Sequence, residues 1–282
     1  MAGPKLFWIE SDDRLDPAGE RDGSFLLFPG RELEQHLKKS LRARVGDNFS
    51  FCRPEDSQLF SGSVVSVEPL SLLLLAVCND LLTFPSVMMG LALAPIKGDG
   101  FSSILGQATM SGIHRVLPLL AERSVVDWGD RTRWQSKQSR FVSLIREKSQ
   151  LAGRPDRMVV ENPVSLSEFF SHSEKAVFLW FDELSEGTLG VKDLMERVLR
   201  GSSEGMERIS CLWGIVGPEG GWSDSERLMA RKMESEGRLF RVSLGDLTFS
   251  AEGAALSVIS LLGLVLYPLM EHWNQRQSLL TD

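Results

Sequence analysis

The stretch "IVGPEGGWSDSE", Ile215 to Glu226, sets three glycines and a proline between an apolar run and a charged helical pattern. Glycine admits positive φ and lets another group approach the main chain closely, at an entropic cost. Proline fixes φ and removes a donor. Ser223 and Glu226 then have the S-x-x-E spacing of a capping box, which marks a helix start. A loop so specified, at the end of a strand and the mouth of a helix, reads as a binding site.

Outward from this loop the chain alternates strand and helix. "VMMGLALAP", "RVLPLLAE", "KAVFLWFDE", "ISCLWGIVG" and "RLFRVSLG" read as strands, and "MVVENP" as extended. Helices are expected at Ser102–Ser111, Thr132–Leu151, "SLSEFF" with its own S-x-x-E at Ser165 and Glu168, "VKDLMERVLR", and Asp224–Glu236 closed by Gly237. An apolar helix begins near Ala251. Such alternation implies an open α/β sheet, parallel, with helices on both faces. Ligands bind such sheets beyond the carboxyl ends of the strands. Three strand ends lie here: "WFDELSEGT", "IVGPEGGWS" and "LGDLTFSAEG". The first reads as an ordinary connection, and the glycine density of the second favours function.

Residues 5–80 have a different grammar. "KLFWIE", "SFLLF" and "LSLLLLAV" are short apolar strands, "GDNFSFCRPEDSQLFSGSVVSVEP" is a hairpin, and "GRELEQHLKKSLRARVGD" is a helix with Leu33, Leu37 and Leu41 a turn apart. The expectation is a small barrel carrying one helix, joined through "NDLLTFPS". The chain therefore divides into residues 1–82 and 83–282.

Several function classes drop out. No Gly-Lys-Ser/Thr ending marks a P-loop, and the G-x-G-x-x-G dinucleotide turn is absent. The central loop is thus no phosphate cradle, and its bare N–H and C=O groups suit the edges of an adenine. His36, His114, His172 and His272 sit in unrelated contexts and no G-x-S-x-G elbow occurs, which removes a hydrolase triad. Cys52, Cys78 and Cys211 are odd in number and lack metal-ligand spacing, so no disulfide framework and no metal are expected, in a reducing cytoplasm. The N-terminus turns acidic too soon for a signal peptide. Gly253 to Met270 is uncharged, near the lower length for a membrane span. Its Ser257, Ser260, Gly263 and Pro268 point instead to a helix buried in a core or a dimer interface.

The formal charge of −7 gives nucleic acid no support as a sum, because such binders draw affinity from neutralising phosphate. Basic residues are nonetheless grouped. Lys38, Lys39, Arg42 and Arg44 crowd the first helix, and Arg123, Arg131, Arg133, Arg140, Arg146, Arg154 and Arg157 punctuate the middle. Trp128 and Trp134 stand among the latter, where indoles stack on bases in single-strand binders.

Taken together, the segments resemble the bacterial RsmE-type enzymes, which methylate N3 of a uridine in small-subunit ribosomal RNA and belong to the SPOUT superfamily. "HLKKSLRARVGD", "LALAPIKGD", "AERSVV", "RWQSKQSRFVSLIREKSQLAGRP", "GPEGGWSDSE" and "LG…AEGAALSV" carry the resemblance. It implies a SPOUT-type α/β methyltransferase domain with a deep C-terminal trefoil knot, preceded by a PUA-like β-barrel that binds RNA. It implies S-adenosylmethionine as cofactor, contacted around Val216, Gly217, Pro218, Gly220, Gly221, Leu244, Gly245 and Phe249. Arg154, Glu219 and Glu252 become catalytic candidates, the arginine for phosphate or developing charge and the glutamates to orient the base. Lys38, Arg42, Arg123 and Arg133 become RNA contacts. A homodimer through the knot and last helix follows, with small-subunit ribosomal RNA as partner and no membrane. The chain also departs from the pattern: Leu247 and Ser250 stand where the family carries arginines, Gly253 where it carries threonine, and Gln107 and Met110 where it carries lysine and glutamate. Those departures keep open a degenerate member that binds cofactor or RNA without methylating uridine, or one with another RNA target.

Overall fold

The computed structural model describes residues 6–19, 24–77, 87–172, 176–183, 188–194, 196 and 210–267. The expected linker "NDLLTFPS", Cys78, half of the helix expected at "VKDLMERVLR" and the end of the apolar run after residue 267 lie outside these. Contacts divide the chain into two units. One holds residues 1–84 together with 146–157, and the other holds 85–145 and 158–282. The division expected after residue 82 made no provision for the segment 146–157.

The first unit contains strands β1 (Leu6–Trp8), β2 (Arg14–Pro17), β3 (Ser24–Phe28), β4 (Asn48–Arg53), β5 (Gln58–Val67) and β6 (Leu70–Ala76) in one sheet, ordered β1-β4-β5-β6-β3-β2. β1 joins β4 in parallel, and the other pairings are antiparallel. β2 carries "RLDP", a polar edge whose lack of apolar alternation leaves no strand signal. Phe51, Phe60, Leu72 and Leu74 meet Leu27 and Leu37 in the core. The helix is shorter than its leucine spacing predicts: α1 (Arg31–Gln35) passes into a π-helical turn, His36–Ser40, and ends before Arg42, whose φ is +55°. Segment 146–157 is tied to this unit by named bonds. The Trp8 indole N–H donates to the Arg154 carbonyl at 3.2 Å, and the Cys52 thiol donates to the Pro155 carbonyl at 3.0 Å. Arg146 pairs with Glu10 and Glu32.

The second unit is a parallel sheet built from β7 (Met88–Leu93), β8 (Arg115–Leu120), β9 (Val159–Val160), β10 (Val164–Ser165), β11 (Ala176–Phe181), β12 (Cys211–Val216) and β13 (Leu239–Val242). The order is β10-β8-β7-β12-β11-β13, with β9 also on β8. Alternate residues of each strand serve opposite cores, as period-two geometry requires. On β11, Val177, Leu179 and Phe181 face one core while Phe178 and Trp180 face the other. Helices α2 (Gly100–Met110), α3 (Arg131–Ala152) and α6 (Ala251–Ser260) supply the first core; α4 (Leu166–Ser171) and α5 (Asp224–Ser235) supply the second. Both S-x-x-E signals form complete capping boxes, at Ser165/Glu168 and Ser223/Glu226. Packing between strands is tight where residue size drops: a Cβ on Gly90 of β7 would lie 2.3 Å from the Trp213 indole of β12.

The indoles expected to stack on bases do not. Trp128 and Trp134 are 4% and 3% exposed and pack with Phe101 and Phe141, the Trp134 N–H donating to Asn162. Burying a side chain of that size is worth roughly 1.5–3 kcal/mol or more, so these rings belong to the core. Among the described residues no helix is long and apolar enough to cross a membrane.

Candidate active site

Three adjacent parallel strands, β12, β11 and β13, end side by side. The loops that leave them enclose a crevice of about 390 Å³, within the size range of small-molecule sites. The strand ends explain its chemistry. The three strands stay paired to their last residues, Phe181 with Val216 and with Val242, and the chain then turns away, leaving peptide groups at the edge.

The central loop forms one wall. Val216, Gly217, Pro218, Glu219 and Gly221 line the crevice with Trp222 behind them. Gly221 has φ +68° and its N–H donates to the Pro218 carbonyl at 2.9 Å, a turn that side chains rarely enter. Gly217 is needed for another reason: a Cβ there would stand 2.8 Å from the Trp222 ring. That indole is 1% exposed, lies 3.9 Å from the Trp180 ring centroid in a stacked pair, and donates its N–H to the Phe181 carbonyl at 3.1 Å. One ring thus joins the ends of β11 and β12.

Arg227, in the first turn of α5, completes the join. Its Nε and Nη2 donate to the Asp182 carboxylate at 2.9 and 3.1 Å, and its Nη1 donates to the Trp222 carbonyl at 2.7 Å. The pair is nearly buried, and hydrogen bonding to Asp182 holds the guanidinium above its ordinary pKa. Fork-to-carboxylate bonding of this kind fixes geometry as well as charge.

The opposite wall is the loop after β13. Ser243, Leu244, Gly245, Asp246, Leu247, Thr248, Phe249 and Ser250 line it, with Ala251 and Ala254 from α6. Leu247 is 81% exposed. Ser250 is the N-cap of α6, its hydroxyl accepting from the Gly253 N–H at 3.1 Å. The loop after β11 contributes Phe181, Asp182 and Glu183, although its sequence reads as an ordinary connection.

Of the residues singled out from the sequence, Val216, Gly217, Pro218, Glu219, Gly221, Leu244, Gly245 and Phe249 share this crevice. Gly220 does not line it; its carbonyl accepts from Arg123 at 3.4 Å. Glu252 lies in the first turn of α6 with its carboxylate beside Gly100, outside the lining. Arg154 belongs to the first unit, is 7% exposed, and donates to the Asp156 carboxylate at 2.7 and 2.5 Å. Arg123, Arg133 and Arg42 are exposed, while Lys38 pairs with Glu34 at 2.7 Å. Asp182, Glu183, Trp222 and Arg227 were missed. A tryptophan directly after a glycine pair was an available signal for Trp222 alone. No cluster that could hold a metal ion occurs among the described residues.

A glycine-lined crevice at the carboxyl edge of a parallel sheet defines the class, an α/β protein built around a small-ligand site. The chain belongs to the RNA methyltransferase domain family, whose model matches residues 84–263. It is 25% identical over 236 residues to the ribosomal RNA small subunit methyltransferase E of Bacillus subtilis (strain 168), covering 82% of this chain and 86% of that one. Its fold matches a putative methyltransferase of Legionella pneumophila solved with bound SAM, at TM-score 0.66 and 21% identity over 92% of this chain and 96% of that one. The small subunit methyltransferase E of Neisseria gonorrhoeae, solved with S-adenosyl methionine, matches at TM-score 0.66 and 17% identity, covering 91% and 95%.

Proposed function

We propose that the chain binds S-adenosylmethionine in this crevice and methylates N3 of a uridine in small-subunit ribosomal RNA. The observation that carries the reading is the crevice itself: glycine-bearing loops on both sides, apolar Phe181, Val216, Leu244 and Phe249 among the lining, and Glu183, Glu219 and Asp246 with them. That set suits an adenosyl group bearing a positive charge, so the residues present fit the cofactor. Family membership and the resemblance to methyltransferase E supply the reaction and the RNA.

When bound, the cofactor supplies an electrophilic methyl group on a sulfonium. The chain's own contribution is chiefly placement, since holding reactants at about 3–3.5 Å removes on the order of 7–11 kcal/mol from a barrier. Main chain at Val216, Gly217, Gly221, Leu244 and Gly245 holds the donor, with Pro218 and Phe249 closing over it. Glu219, exposed at the crevice, takes the proton that uracil N3 loses. Arg123 engages a phosphate, and Lys38, Arg42 and Arg133 extend the RNA contact. Arg154 and Glu252 stand outside the crevice lining, and the reading gives them no step. Base pairing hides the N3 edge, so the target uridine is single-stranded or flipped out. The reading carries with it a trefoil knot formed by the crevice loops, a PUA-like first unit, a cytoplasmic setting and a homodimer through α6 and the π-helical turn after it, Leu261–Leu266. That turn exposes Leu264 and Val265; light scattering reads the dimer directly.

Methylating purified small ribosomal subunits with labelled donor tests the function, and digestion to nucleosides is expected to place the label on uridine N3. Donor binding without label in uridine overturns it. One observation favours a second reading, a member that binds without methylating: among the described residues the crevice lining carries no lysine or arginine, and Ser250 is spent on a helix cap. An anion forming at N3 then meets no cation from the lining. Under that reading Ser250→Arg creates transfer activity that the parent lacks, despite a cap loss of roughly 0.5–2 kcal/mol.

A further inference from the structure

We propose that Glu226 is a positioning residue that straps the loop after β8 to the crevice loop and so sets Arg123 at the rim, where it meets an RNA phosphate; this rests on the RNA methyltransferase reading. A capping box asks one thing of its glutamate, an acceptor for the N-cap N–H. Glu226 does that with Oε2, which accepts from the Ser223 N–H at 2.8 Å. Its other oxygen is engaged elsewhere. Oε1 accepts from the Glu122 N–H at 2.9 Å, from a residue distant in sequence. The side chain is 2% exposed, so both oxygens are spent on main-chain donors away from water.

Two further contacts close the strap. The Ser225 hydroxyl donates to the Glu122 carboxylate at 2.5 Å, and this bond holds that carboxyl below its ordinary pKa. On the other side, Gly220 admits the loop: a Cβ there would lie 3.2 Å from both the Arg123 Cβ and the Arg123 carbonyl oxygen. Arg123 is exposed and gives one N–H to the Gly220 carbonyl at 3.4 Å. Glu219 and Gly221, on either side of Gly220, line the crevice. The cation is therefore fixed to the back of the loop that walls the crevice, and the carboxylate of Glu226 holds both pieces. A neutral amide has a single acceptor oxygen, so glutamine at 226 keeps the cap or the strap and loses the other.

The test is a double-mutant cycle on the full chain, reading retention of purified small ribosomal subunits against salt, with the donor affinity measured by calorimetry. Arg123→Ala is expected to weaken subunit binding about tenfold and to lower the salt slope by about 0.7–0.9, the signature of one lost phosphate contact. Glu226→Gln is expected to weaken it about three- to tenfold with the donor affinity unchanged, and the double variant is expected to bind no more weakly than Arg123→Ala. Ser225→Ala, which leaves the cap intact, is expected to reproduce the Glu226→Gln defect in milder form. Additive losses in the double variant, or a normal Glu226→Gln beside an impaired Arg123→Ala, overturn the strap while leaving the function standing. A parent chain that binds donor and ignores the subunit removes the RNA reading and the strap with it.

Discussion

The two loops that wall the crevice are held by different means. The central loop, Val216–Trp222, is fixed by side chains from outside itself: Trp222 hangs from the Phe181 carbonyl and stacks on Trp180, and Arg227 grips its last carbonyl and Asp182 together. The loop after β13 relies mainly on local bonds. The Ser243 hydroxyl accepts from the Gly245 N–H and donates to its carbonyl, and residues 245–250 are all exposed. The central wall is thus preorganised by buried polar bonds, which are costly to disturb. The wall after β13 carries few such restraints and, among the described residues, no lysine or arginine on the lining. The contrast teaches where sequence change is tolerated. The two positions that the resemblance sets apart from the family, Leu247 and Ser250, both fall in the loosely held wall, while "GPEGGWS", which carries that resemblance, forms the clamped one.

The contrast is most directly broken at Arg227. Arg227→Ala leaves the Asp182 carboxylate, 7% exposed at its side chain, without its fork, and removal of one partner from a buried pair costs roughly 3–5 kcal/mol. Denaturant unfolding is expected to show a loss of that order together with a collapse of donor affinity. A loss below 1 kcal/mol would mean that the clamp is ornamental. Gly217→Ala comes next. Its Cβ would press on a ring already stacked on Trp180 and hydrogen-bonded to the Phe181 carbonyl, and overpacking costs about 1–3 kcal/mol. Donor affinity is expected to fall with stability, whereas an alanine at Thr248 in the other wall is expected to shift stability by no more than about 0.5 kcal/mol.

The smallest effect sharpens the comparison at its rim. Hydrogen bonding from Ser225 holds the Glu122 carboxyl below its ordinary pKa. A carboxyl lowered on folding adds to stability above its unfolded pKa, and the contribution is lost as pH falls through the folded value. Ser225→Ala is therefore expected to move the Glu122 titration upward by NMR and to leave neutral-pH stability nearly untouched. An unmoved titration would show that this bond does not form in solution.

Much of this architecture is legible in the sequence because it rests on periodicity and punctuation. β11 and β12 read as continuous apolar runs since both faces of a parallel sheet are covered, and Ser223 and Glu226 announced their helix by spacing alone. β2 escaped because "RLDP" is an edge with nothing to bury. The site divides in the same way. Gly217 and Gly221 were visible because glycine is diagnostic of backbone demands. Asp182 and Arg227 were not, because they are 45 residues apart and their pairing exists only once β11 and β12 lie side by side. The second oxygen of Glu226 was hidden for the same reason: spacing reveals a cap, and a long-range partner leaves no local mark. Trp128 and Trp134 misled in the other direction, since an aromatic near arginines looks alike in a core and on an RNA surface until burial is known.

The indole of Trp213 over Gly90 carries a consequence for how this chain drifts over generations. Each position forbids most replacements while the other stands: any larger residue at 90 strikes the ring, and any smaller residue at 213 opens a void above a glycine that cannot fill it. Descendants are therefore expected to exchange the two together or neither, so that a bulky residue at 90 travels with a slender one at 213.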